Sequence, residues 1–174
     1  QRSPVPVPYR SFYRAANDWR SLTCSESRDQ VARWRTALAG ESVSAGDRVA
    51  VLLRNCPEWV IFDVAAMAIG AVPVGIYFSS TQEGVADALE QSASRIVLAG
   101  TKALAEKVDV GSHPSLDVVV GVEEPPTDGL SWELFLERGD GVADDILDER
   151  LDALGPHDPA TLIFTAAGFG SSVG

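Results

Sequence analysis

Near its end the chain reads Thr161-Leu162-Ile163-Phe164-Thr165-Ala166-Ala167-Gly168-Phe169-Gly170-Ser171-Ser172-Val173-Gly174, an apolar run that passes into a glycine-rich turn. Glycine lets backbone N–H groups come close to an anion, so a strand entering such a turn is a candidate phosphate site. The spacing Gly168-x-Gly170-x-x-x-Gly174 is also a loose dinucleotide fingerprint, but the helix and the acidic residue that complete one do not follow in this sequence. Other groups with chemical potential fall short of a site. His113 precedes Pro114, and His157 precedes Asp158-Pro159; both read as surface-loop histidines with no positioned neighbour. Asp144-Asp145 and Asp148-Glu149 place carboxylates four residues apart on a predicted helix. A hard cation needs convergent ligands from elsewhere, so a solvated acidic face is expected there. Ser171 and Ser172 have no visible base, and no metal-ligand spacing occurs. No catalytic residue and no metal ligand is therefore assigned. Trp19, Trp34, Trp59 and Trp132 read as core or groove-lining residues.

The elements that must carry the turn follow from periodicity. Residues 1–10 (QRSPVPVPYR) are proline-rich and predict an extended arm or a disordered lead-in. Thr23 and Glu26 form a capping-box signal for a helix to about Ala39, with Val31, Trp34 and Leu38 on one face and Gly40 at its end. Arg48–Leu53 is almost continuously apolar, the pattern of a strand buried on both faces. Asn55 is then a candidate N-cap, with Pro57 in the first turn of a helix from about Glu58 to Ile69 that stops at Gly70. Val72–Tyr77 predicts a strand in which Pro73 is tolerable only if its missing N–H falls outside the ladder. The alternation continues with a helix over Gln82–Ser92, a strand over Arg95–Ala99, a helix over Thr101–Val108 and a β-branched strand over Leu116–Val122. Helices over Trp132–Arg138 and Val142–Leu154 precede a last strand at Thr161–Thr165. Strand–helix alternation of this kind predicts an α/β fold, a mostly parallel sheet with helices on both faces.

Composition narrows the class. At 174 residues with 45% hydrophobic and 22% charged content, the chain suits one globular unit or one lobe of a larger protein. The net charge of −11 is concentrated: residues 123–158 hold twelve acidic side chains against Arg138 and Arg150. That field repels phosphate backbones and argues against nucleic acid as a partner. The apolar run from Trp59 to Phe78 is broken by Gly70 and Pro73 into pieces too short to span a bilayer, so no transmembrane segment is expected. Cys24 and Cys56 are too few for a disulfide framework and suggest reduced thiols and a cytoplasmic location.

Several of these segments, taken in order, resemble the opening of the AMP-forming acyl-CoA synthetases. They are Trp19-Arg20-Ser21-Leu22-Thr23 with the helix after it, Gly46–Trp59, and Ala65–Tyr77, followed by Asp158-Pro159-Ala160-Thr161-Leu162-Ile163-Phe164. The endings Val74-Gly75-Ile76-Tyr77 and Ser79-Ser80-Thr81 are most similar to the long-chain fatty acid ligase branch. In that family the last strand leads into a loop of the form Thr-Ser-Gly-Thr-Thr-Gly-x-Pro-Lys-Gly. Thr165, Gly170 and Gly174 fall on matching positions and are the candidate cofactor-binding residues, a remnant of an ATP phosphate loop. Ala166, Ala167, Gly168 and Phe169 replace serine, glycine and two threonines, and Ser172 and Val173 replace proline and lysine. Hydroxyl donors and an ammonium group suit a triphosphate, and most of them are missing here.

The resemblance implies that residues 11–174 form a single α/β lobe, the first of an adenylate-forming N-terminal domain. For the full-length family it implies ATP, magnesium and coenzyme A as cofactors and a fatty or other carboxylic acid as substrate. Most of the family's chemistry lies beyond position 174. The expectation is thus an N-terminal fragment, truncated or altered at its loop, inactive alone and binding none of these cofactors by itself. The alternative is a non-catalytic module descended from such a ligase, taking a protein partner or a second copy through its exposed surface.

Overall fold

Every residue of Val49–Leu53 is buried because two helical layers sandwich this stretch. Val49, Val51 and Leu53 face one layer, and Ala50 and Leu52 face the other. The computed structural model describes residues 10–15 and 18–164, with side chains from residue 21 onward except those of 144–146. Its main sheet has six strands: β3 (Arg48–Leu52), β4 (Val72–Gly75), β5 (Ile96–Ala99), β6 (Val118–Gly121), β7 (Leu130–Ser131) and β8 (Leu162–Ile163). All pairings are parallel, in the order β7-β6-β5-β3-β4-β8. Helices α1 (Cys24–Gly40), α2 (Pro57–Met67), α5 (Trp132–Glu137) and α6 (Asp144–Asp152) cover one face. Helices α3 (Gln82–Ser92) and α4 (Lys102–Ala105) cover the other. This is the α/β architecture expected from the alternating pattern.

Local signals hold where they are chemical and shift where tertiary contacts intervene. Thr23 and Glu26 make both bonds of the capping box: the Glu26 N–H donates to the Thr23 hydroxyl, and the Thr23 N–H donates to the Glu26 carboxylate. Gly40 is the last residue of α1, and the chain turns left-handed two residues later, at Ser42 (φ 59°). The N-cap of α2 is Cys56 rather than Asn55, with Pro57 at the first helical position and no side-chain cap bond. The helix expected over Thr101–Val108 shortens to the single turn of α4, followed by a 3-10 turn at Val110–Ser112. An antiparallel hairpin, β1 (Arg10–Ala15) with β2 (Asp18–Thr23), was not expected from the sequence. Of residues 1–10, expected as an extended arm, Arg10 begins β1, and residues 1–9 lie outside the described residues.

The amino edge of the sheet is tied by one arginine. The Arg95 guanidinium bonds Asp47 at 2.9 Å and Asp117 at 2.8 Å, and donates to the Ser42 carbonyl at 2.8 Å. Asp47, Arg95 and Asp117 immediately precede β3, β5 and β6, so the cluster aligns three strand starts. Burial by itself would raise the pKa of Asp47. The Ser44 N–H and the Arg95 and Arg48 guanidinium groups outweigh it and hold the carboxyl below its ordinary 3.8. A carboxyl whose folded pKa lies below its unfolded value stabilises the fold above the unfolded pKa and loses that contribution as pH falls through the folded one. Asp47→Asn is therefore expected to flatten the acid limb of a urea-midpoint titration below about pH 4. An unchanged acid limb would remove Asp47 from the pH response.

Candidate functional site at the carboxyl edge of the sheet

In open parallel sheets, ligands bind beyond the carboxyl ends of the strands, where the strand order reverses. Here the chain runs from β3 outward to β4, returns past β3 to β5, and later comes back to add β8 beside β4. The strand ends that meet at this edge carry Leu53-Arg54 (β3), Ile76-Tyr77-Phe78 (β4), Gly100-Thr101 (β5) and Phe164 (β8). The Arg54 guanidinium lies 4.1 Å from the centre of the Phe78 ring, a cation–π contact at an exposed position. Lys107 donates to the Ser80 carbonyl at 2.6 Å. The hydroxyls of Thr81 and Thr101 are engaged as helix caps, accepting from the N–H groups of Gly84 and Leu104. At Cys56, burial first and the Glu58 side chain second push the thiol up to about 11, against the helix N–H groups that lower it. At neutral pH this is a thiol, not a nucleophilic thiolate.

Strand β8 delivers the chain to this edge. It pairs with β4 in the register Val74↔Leu162 and Gly75↔Ile163. Leu162 and Phe164 pack with the α3-side core, while Ile163 stands on the opposite face and is 68% exposed. Thr165, Gly170 and Gly174, the residues singled out from the sequence, lie outside the described residues. Pro73 satisfies its sequence condition. The N–H groups of Val72 and Ile76 bond to β3, so even-numbered residues of β4 face β3 and odd-numbered ones face β8. The missing Pro73 donor thus points to the level of residue 160, before β8 begins.

The remaining candidates are dispersed. His113 is half-buried at the end of the 3-10 turn, and His157 is exposed in the turn before β8. Asp148 pairs with Arg35 at 2.9 Å, so α6 uses that carboxylate to dock on α1. No group of three or more His, Cys, Asp or Glu side chains that could hold a metal occurs among the described residues. Trp34 is core, stacked on Trp132, and Trp59 lies over Gly75. The Arg54–Phe78 contact is not signalled by sequence spacing, since it joins the segments that follow two different strands, β3 and β4.

The model of the family described as AMP-binding enzyme matches residues 6–167, nearly the whole chain. The chain belongs to the AMP-binding enzyme family. Among its curated relatives is the long-chain-fatty-acid–CoA ligase FadD15 of Mycobacterium bovis, 35% identical over 158 residues. That match covers 90% of this chain and 26% of the relative. A 3-[(3aS,4S,7aS)-7a-methyl-1,5-dioxo-octahydro-1H-inden-4-yl]propanoyl:CoA ligase of Mycobacterium tuberculosis is 30% identical, covering 89% of this chain and 31% of the relative. The chain thus spans about a quarter to a third of the length of these relatives. Among solved structures, a Mycobacterium tuberculosis fatty acyl CoA synthetase superposes with a TM-score of 0.67 at 21% identity, over 85% of this chain and 28% of that one. A Brucella canis acyl-CoA synthetase superposes with a TM-score of 0.65 at 22% identity, over 76% of this chain and 25% of that one. These superpositions carry the fold: the mostly parallel sheet is that of the N-terminal domain of acyl-CoA synthetases. No helix among the described residues is long and apolar enough to cross a membrane.

Proposed function

We propose that this chain is the N-terminal lobe, residues 11–174, of a cytoplasmic fatty acid–CoA ligase that uses ATP, magnesium and coenzyme A. The carrying observation is the 35% identity to a long-chain ligase along 90% of the chain, on a matching α/β fold. In the reaction proposed for the whole protein, a carboxylate oxygen attacks the α-phosphorus of ATP and pyrophosphate leaves. The coenzyme A sulfur then attacks the acyl carbon, loses its proton and expels AMP. Both steps crowd negative charge, which cationic groups, N–H donors and a metal must stabilise.

The residues in hand contribute chiefly scaffold: a packed sheet that brings β8 to the edge from which Thr165 follows. Thr165, Gly170 and Gly174 are the proposed remnant of the phosphate loop. Ala166, Ala167, Phe169 and Val173 offer no side-chain hydroxyl or ammonium to a triphosphate. These 174 residues on their own are therefore expected to form no acyl-adenylate. The test is incubation with ATP, magnesium and a fatty acid, followed by mass spectrometry for the adenylate and an assay for pyrophosphate. Detection of either above the enzyme-free control overturns the inactivity.

A second reading, a non-catalytic interaction module, is favoured by one observation. The side chains of Val60 and Val64 on the outer face of α2, and Ile163 on the edge strand, are 56%, 40% and 68% exposed. Glu58 and Asp63 interrupt this surface, but the exposed valines are apolar area that a partner would cover. Light scattering that returns a clean monomer, with no binding of hydrophobic dyes, would argue against this module.

A further inference from the structure

Strand β8 is two residues long, and so short a ladder specifies its own register weakly. Facial alternation does not finish the task. A two-residue slip would put Phe164 where Leu162 stands, and both are apolar residues of the same core face. Such a slip would move the point where the chain leaves the sheet by about 6–7 Å, at about 3.3 Å per residue.

Two contacts on the β4 side oppose slipping in either direction. The observed register directs the Leu162 N–H to the Pro73 carbonyl and the Gly75 N–H to the Leu162 carbonyl. Were Phe164 opposite Val74, the Leu162 carbonyl would meet the Pro73 ring, which has no N–H to give. In the other direction, Ala160 would stand opposite Val74. The Thr161 hydroxyl, which donates to the Pro73 carbonyl at 3.1 Å, would then be carried away from it. The short side chain of Ala160 would also replace Leu162 against the core.

We propose that Pro73 and Thr161 form a two-sided register stop for β8, which makes Thr161 a positioning residue for the chain leaving the sheet after Phe164. The stop stands on the strand geometry alone. Its relevance to phosphate binding rests on the reading under Proposed function. The reach is large if that reading holds, because displacing a reacting group by about 1 Å can cost about 100-fold in rate.

The test is NMR on the 174-residue chain with isotope labelling, comparing the parent with Thr161→Val, Thr161→Ser and the double variant Pro73→Val/Thr161→Val. Valine keeps the shape of threonine without the hydroxyl, so Thr161→Val should lower the exchange protection of the Leu162 and Gly75 amides by about 5–10-fold, the loss of one modest hydrogen bond. Protection at Val51 and Leu98, in the sheet centre, should stay at parent level. Thr161→Ser should restore the Leu162 amide to within about 2-fold of the parent, since the donor returns. The double variant should show a second set of cross-strand contacts, with Leu162 opposite Val72. Parent-level protection in Thr161→Val, a serine variant as exposed as the valine one, or a single native register in the double variant would each overturn the stop. Titrating the parent with inorganic pyrophosphate tests the phosphate reading separately. A silent spectrum is expected of a loop stripped of its side-chain donors; saturable shifts would count against that reading and leave the register result untouched.

Discussion

Trp34→Ala is expected to lower stability by about 3–5 kcal/mol, the range for removing a large buried aromatic. Domains of this kind are stable by about 5–15 kcal/mol in total, so the variant should be partly unfolded or recovered in reduced soluble yield. The magnitude follows from the position. Trp34 is 2% exposed on the inner face of α1. Its ring meets Phe62 of α2 edge-on at 5.5 Å and Phe135 of α5 at 5.6 Å, and stacks on Trp132 at 6.5 Å. Four rings from three helices close this end of the core, and alanine would leave a cavity that rigid helices cannot collapse. Urea unfolding followed by far-ultraviolet circular dichroism measures the change without relying on the tryptophan removed. A loss below about 1 kcal/mol would show that the aromatic cluster is not a keystone of the layer, since surface substitutions fall in that range.

The second large effect concerns a place with no side chain at all. At the end of α1, a Cβ built on Gly40 would stand 2.1 Å from the Arg138 carbonyl oxygen. A Cβ on Gly139 would stand 2.6 Å from the Ala37 backbone nitrogen. The turn after α5 therefore lies against the last turn of α1, backbone to backbone, and neither partner is a flexible side chain that could swing aside. Gly139→Ala is expected to cost about 2–3 kcal/mol by overpacking, with a lower thermal midpoint and an unchanged fold. The Arg138–Glu41 ion pair, which spans the same junction, should weaken with it. Combining Gly40→Ala with Gly139→Ala should cost less than the two single changes together, because the first already forces the elements apart. Strict additivity in a double-mutant cycle would mean that the two glycines do not share one contact.

Much of this molecule is written in local pattern. The apolar run at Val49–Leu53, the Thr23–Glu26 capping box, the Pro57 helix start and the alternation of strands with helices specify the α/β class by themselves. Each depends on neighbours within one or two turns of chain, and binary pattern and cap chemistry report on such neighbours directly. The family resemblance is likewise carried by ordered segments, and the match over residues 6–167 agrees with it. Cys56 caps α2 in place of Asn55, and α4 is one turn in place of a helix over Thr101–Val108, because cap and length depend on how the chain meets its neighbours. Strand order, the uncovered side of α2, the Gly40–Gly139 junction and the Pro73–Thr161 contact were decided only in the tertiary structure. The residues of the last contact lie 88 positions apart. Their meeting depends on which strand edge β8 selects, a choice made by packing across the whole sheet and not by any local preference of the chain.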